Sequence, residues 1–221
     1  RLLYTQAEHE GGWDSPIPTG EMYAVDADGG DPERLYGYRR GGMQAGSHIQ
    51  QATPERGSAT FLSRIEGDPQ HALIVVTNWE ASGSAGAFTE VYKIDVRSGI
   101  KERVAVAPMR QAGYLADYHG HVRFAVGDDL SGSRVIYMRS ADGGDWELLQ
   151  QASDDHDWPI AFSADDKVVW FSCPGSPGFG ICKFDPATRG MTRVWSNPHV
   201  EATGLVQGLA ENSILGVGFT D

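Results

Sequence analysis

An all-β chain is expected from these residues, folded as a partial β-propeller of four-stranded antiparallel blades, about three complete and two incomplete. A strand–turn–strand frame recurs along it. Tyr92-Lys93-Ile94-Asp95-Val96-Arg97-Ser98-Gly99 runs into a strand at 101–104, residues 137–144 run into 146–149, and 182–190 run into 192–195. These copies begin 45 residues apart, at Tyr92, Tyr137 and Cys182, and a fourth copy at 22–30 runs into Arg34-Leu35. A period of that length built from hairpins marks a propeller blade. The second strands of successive blades start near Leu73, Val122, Val168 and Ile214, at spacings of 49, 46 and 46. Their continuous Val, Ile, Leu and Trp runs suit sheets packed face to face. The 28 glycines and 11 prolines cut the chain into short pieces, as many turns require.

Residues 1–37 form the first, partial blade: a strand opening at Arg1-Leu2-Leu3-Tyr4, then the hairpin of the fourth copy, with the innermost strand lacking. Residues 37–57, with Gly41-Gly42 and no period, form a loop leaving one face. The blade at 60–106 has strands at 60–65, 72–79, 90–96 and 101–106. In the blade at 111–150 they fall at 114–117, 121–126, 134–139 and 146–150, with a turn at His119-Gly120. In the blade at 158–195 they fall at 159–163, 167–172, 181–184 and 191–195, with a turn at Ala164-Asp165-Asp166. Residues 203–221 begin a fifth blade with strands at 205–207 and 213–219. All belong to one propeller domain spanning 1–221. A ring cut open leaves unpaired strand edges. The chain is therefore expected to be a piece of a longer protein, or to self-associate through its open blade edges.

Thirty acidic against eighteen basic residues give a formal charge of −12, which repels phosphate backbones and anionic lipid. Neither nucleic acid nor membrane is an expected partner, and no apolar run approaches the roughly 20 residues that cross a bilayer. Cys173 and Cys182 are the two cysteines, flanking the turn at 174–180. A hairpin there sets the two strands side by side, close enough for a cross-strand disulfide if the register suits. Free buried thiols would leave the same sequence, and the register is not readable from it. The pair favours a periplasmic or secreted location over a cytoplasmic one, with the compartment otherwise open.

Several residues have the right types for chemistry. Asp117, His119 and His121 would share one face of a continuous strand, as metal ligands do. Gly120 sits where the blade frame wants a turn and breaks that alternation, so no metal and no cofactor are expected. Asp154-Asp155-His156-Asp157 is dense in acids, but they are adjacent rather than alternating as in a calcium loop, and a solvated connection is expected. Arg123 interrupts an apolar inner strand and must meet an acid or reach water. Two readings stay open: an ion pair with Asp117, or a channel-lining cation that meets a substrate carboxylate. Trp146, Trp158, Trp170 and Trp195 recur near strands as blade-to-blade packing.

The run Ile160-Ala161-Phe162-Ser163-Ala164-Asp165-Asp166-Lys167-Val168-Val169-Trp170-Phe171 resembles the FSPDG blade element of TolB-like and WD40-like propellers. Asp68-Pro69-Gln70-His71-Ala72-Leu73-Ile74-Val75, Val91-Tyr92-Lys93-Ile94-Asp95-Val96-Arg97-Ser98-Gly99 and Asp117-Tyr118-His119-Gly120-His121-Val122-Arg123 together resemble the N-terminal propeller of prolyl oligopeptidase family serine peptidases, in the dipeptidyl/acylaminoacyl-peptidase branch. The resemblance extends from about residue 60 onward. It implies a C-terminal α/β-hydrolase domain with a Ser-Asp-His triad as partner, and peptide substrates admitted through the propeller's funnel. By the same likeness Glu80 is a candidate to hold a substrate's free amino terminus. A rim residue on the loop at 81–87 is the other reading of Glu80.

The chain itself is expected not to be an enzyme. A nucleophile elbow needs Gly-x-Ser-x-Gly. Ser84 has Gly86 after it but Ser82 before, and Ser176 has Gly178 after it but Pro174 before. Two functions follow: the substrate-gating propeller of a serine peptidase, or a stand-alone TolB/WD40-like scaffold that binds a ligand or protein.

Overall fold

The computed structural model describes residues 1–9, 11–12, 14–38, 55–79, 86–141, 143–151, 158–175, 178–208 and 213–220. Among them are seventeen strands and no helix. Contacts divide the chain into two compact units, Arg1–Gln111 and Ala112–Asp221.

In the first unit β1 (Leu2–Glu8), β2 (Ile17–Val25) and β3 (Glu33–Tyr36) form a three-stranded sheet in chain order. β4 (Gly57–Ile65), β5 (Asp68–Asn78), β6 (Thr89–Asp95) and β7 (Lys101–Val106) form a four-stranded one. All neighbours are antiparallel. Side chains alternate across a strand, so every second residue turns to the shared core. Met22, Ala24, Leu35 and Tyr36 of the first sheet meet Ala59, Ala72, Ile74, Val76 and Ile94 of the second and Val96 of the β6–β7 turn. Leu73 and Val91, on the opposite face, are also fully buried, which is why β5 carries an unbroken apolar run rather than an alternating one.

The second unit holds two four-stranded sheets and one pair. β8 (Gly113–Ala116), β9 (Val122–Asp128), β10 (Arg134–Met138) and β11 (Glu147–Gln151) make one sheet. β12 (Trp158–Phe162), β13 (Val169–Pro174), β14 (Phe179–Asp185) and β15 (Gly190–Trp195) make the next, and β16 (Glu201–Gln207) pairs with β17 (Ile214–Thr220). Phe124 of β9 anchors the core, its ring 6.0, 5.8 and 6.1 Å from those of Phe162, Phe171 and Phe184. Edge-on and tilted aromatic contacts of this kind add to the apolar area that they bury. Sheets of three, four, four, four and two antiparallel strands are three complete blades and two incomplete ones of a partial β-propeller.

The recurring Asp-to-Gly frame has a local cause. Asp95 N donates to Ile100 O at 2.8 Å, and the Asp95 carboxylate accepts from Arg97 N and Ser98 N at 2.8 and 2.9 Å. Gly99 closes the turn at φ 70°, a left-handed conformation in which a side chain crowds the backbone. Asp185 accepts from Ala187 N at 2.8 Å in the same way, but Arg189 closes that turn, at φ 58°. Several strand starts differ from expectation: β4, β5 and β16 begin earlier, at Gly57, Asp68 and Glu201, and β13 begins later. Lys167 and Val168 belong to the turn and β13 begins at Val169, because Ser163 N donates to Val168 O and Val168 N donates to Ser163 Oγ.

Candidate functional site

The densest group of chemically capable side chains lies in the second unit, where the β8–β9 turn meets the β12–β13 turn. Asp117 N donates to His121 O at 2.9 Å, and Gly120, at φ 88°, donates to Asp117 O at 3.2 Å. Asp117 Oδ1 accepts from His119 N at 3.1 Å and His121 N at 2.8 Å, which fixes the buried carboxylate. Its Oδ2 faces His121 Nδ1 at 3.0 Å and Arg123 Nη1 at 3.6 Å.

Asp166 comes from the adjoining sheet. Its Oδ1 accepts from Tyr118 N at 3.2 Å, and its Oδ2 lies 2.5 Å from His119 Nδ1. Tyr118 Oη donates to Phe162 O at 3.3 Å and ties the same two turns together. Ligand atoms of Asp117, His119 and Asp166 all lie within 4.8 Å of one another. The rings of His119 and His121 are nearly parallel, 6.4 Å apart.

Arg123 is 14% exposed and turned onto protein groups. Besides Asp117, its Nε donates to Arg139 O at 3.0 Å, and its guanidinium lies 5.7 Å from the Phe162 ring centre. The acid partner named for it in the sequence is thus the one that it faces. Arg139 in turn donates from Nε to Val122 O at 2.7 Å, and burial holds its pKa below the ordinary value. Sequence spacing brings Asp117, His119, His121 and Arg123 together. It misses Asp166, which lies 47 residues from His119. The signal was there in the repeat: Asp166, at φ 56°, closes its turn as Gly120 closes the preceding one. Glu80, the acidic run at 154–157, Ser84 and Ser176 lie outside the described residues.

Cys173 and Cys182 are joined in a disulfide, with Cα atoms 6.0 Å apart. Register pairs Cys173 with Gly180 and Cys182 with Phe171, so the bridge runs diagonally between β13 and β14 on their core face.

Three polar groups mark the first unit. Asp68 accepts from His71 Nδ1 at 2.8 Å and Lys93 Nζ at 2.9 Å, and these bonds, His71 foremost, draw its pKa down to about 2. Lys101 stands 5.7 Å from the Tyr36 ring centre and 5.6 Å from that of Tyr92, and pairs with Glu55. Tyr92 Oη donates to Glu90 at 2.6 Å, and burial is the main cause that pushes both phenols up to about 12. Arg1, almost fully enclosed, donates from Nε to Asp26 at 2.9 Å and from Nη1 to Val96 O at 3.1 Å.

No protein-family model and no curated protein matches the chain. Among solved structures, TolB from Acinetobacter baumannii matches with a TM-score of 0.51 at 12% identity, over 82% of this chain and 39% of that one. An oligogalacturonate lyase in complex with manganese matches at 0.56 and 13%, over 89% and 53%. The oligogalacturonate lyase from Vibrio parahaemolyticus matches at 0.50 and 12%, over 92% and 54%. The chain spans from 39% to 54% of the length of these structures. At such identity the likeness is one of fold, and the fold is a TolB-like β-propeller.

Proposed function

We propose that this chain is a non-catalytic propeller scaffold, and that it serves as the substrate-gating segment of a prolyl-oligopeptidase-like serine peptidase. The observation that carries the scaffold reading is the series of antiparallel sheets. The seventeen strands among the described residues supply binding edges and loops. The peptidase assignment rests on the likeness at residues 68–75, 91–99 and 117–123. In this reading the partner is an α/β-hydrolase domain and the ligands are short peptides, with Glu80 and Arg123 as the residues to test for contact with their charged ends. The fold-level match to TolB favours a second reading, a scaffold that binds a ligand or protein without any hydrolase attached.

The purified chain, incubated with dipeptidyl and acylaminoacyl 4-nitroanilides, is expected to release no nitroaniline. Turnover abolished by a serine-directed inhibitor would overturn the non-catalytic assignment. The reading frame following residue 221 separates the two readings. A Gly-x-Ser-x-Gly motif within an α/β-hydrolase sequence supports the peptidase; a stop codon without one removes it and leaves the scaffold.

A further inference from the structure

We propose that Asp117, His119 and Asp166 form a divalent-metal site that fastens the β8–β9 turn to the β12–β13 turn. Their three ligand atoms, one imidazole nitrogen and two carboxylate oxygens, lie within 4.8 Å of one another. One nitrogen with two oxygens is a donor set suited to Zn2+ or Mn2+. Alternation along a single strand, which Gly120 interrupts, is not what gathers them. The turn curls Asp117 and His119 together, and the adjoining sheet delivers the third donor.

Three features of the surroundings favour an ion. Both carboxylates are positioned by the backbone, Asp117 by two amides and Asp166 by Tyr118 N, and the 2.5 Å contact between Asp166 Oδ2 and His119 Nδ1 opens as an ion enters. Two carboxylates with side chains only 3% and 12% exposed bring oxygen donors together from the two turns, with Arg123 and His121 already facing the Asp117 carboxylate. Arg123 stands 3.6 Å from Asp117, at the inner end of the cluster. His119, by contrast, is 60% exposed and leaves the outer end open to solvent, which gives an ion its way in and leaves further coordination positions to water. Asp166 also holds a left-handed backbone, at φ 56°, where glycine is the unstrained choice.

The test uses the whole chain, stripped of metal by chelation, with Zn2+ as the probe in calorimetric titration and thermal unfolding. Saturable binding of one equivalent is expected, with a rise in melting temperature that tracks the free Zn2+ concentration. His119→Ala and Asp166→Gly should each weaken binding by more than about tenfold, a loss typical of damage to a metal site. The first changes an exposed ring and the second suits the local backbone, so both should fold, and far-ultraviolet circular dichroism confirms it. His199→Ala, at an exposed histidine outside the cluster, should bind as the unaltered chain does. Absence of saturable binding would overturn the site. So would affinity unchanged in either cluster variant, or an equal loss in His199→Ala.

Discussion

Arg189 shows how much one backbone angle can be worth. The frame that starts at Asp185 closes on a left-handed residue, and here an arginine occupies it while Gly190 follows one place late. That conformation costs a non-glycine residue about 1–2 kcal/mol. Against it stands an exposed ion pair to Glu147, a kind that contributes about 0–1 kcal/mol. Arg189→Gly is therefore expected to stabilise the chain by about 0.5–1 kcal/mol in urea unfolding; a loss of stability would count against the argument. Asp68 and Asp95 make the other prediction about single side chains. His71 and then Lys93 hold the Asp68 carboxyl at about 2, and Gln70 with the amides of Ser98 and Arg97 holds Asp95 well below the usual carboxylate range. The unfolded chain binds these protons near pH 4 and the folded chain only at lower pH. Their contribution is thus whole above about pH 4 and is lost as pH falls through the folded values. Melting temperature should drop on acidification from pH 4 to 2, and Asp68→Asn or Asp95→Asn should flatten that slope while lowering stability at pH 7. Turn residues such as Asp95 and Gly99 were legible because their chemistry is local. Arg1 was not, because its partners Asp26 and Val96 come from distant turns.

The β13–β14 hairpin marks where sequence reading of an element succeeds and where it stops. Two strands flanking the turn at 174–180 were visible, but their register was not, and register decides whether two cysteines can meet. The diagonal pairing answers that through Cys173 opposite Gly180. β13 also starts later than its apolar run suggests, since the Ser163 hydroxyl captures Val168 N. Polar side chains that bond nearby amides compete with a ladder in this way. Closing a loop across the nine-residue separation should contribute about 2–3 kcal/mol by the chain-entropy argument. The double variant Cys173→Ser, Cys182→Ser, or the reduced protein, is expected to lose that much in denaturant unfolding. Equal stability with and without reductant would refute it.

Over the entire chain, the 45-residue frame was enough to yield the blades, because a repeated hairpin cannot bury its apolar face alone. What the frame could not supply was contact between blades, such as Asp166 reaching His119. Each compact unit has its own apolar centre, around Ile74 in Arg1–Gln111 and around Phe124 in Ala112–Asp221. Phe124→Ala should cost about 3–5 kcal/mol and Ile74→Ala about 2–5 kcal/mol. Hydrogen exchange followed by mass spectrometry should locate the first loss in β8–β15 and the second in β2–β7; uniform acceleration after either substitution would contradict separate centres.

The enclosure of Lys101 has a practical outcome. Of four lysines in the sequence, Lys167 is 80% exposed, whereas Lys101 is 20% exposed between two phenol rings and Glu55. An amine-reactive dye or biotin ester should therefore tag Lys167 early and Lys101 last. Label on Lys167 would sit on the β12–β13 turn, next to Asp166, and immobilising the protein through such a tag would obstruct the cluster that zinc is proposed to occupy.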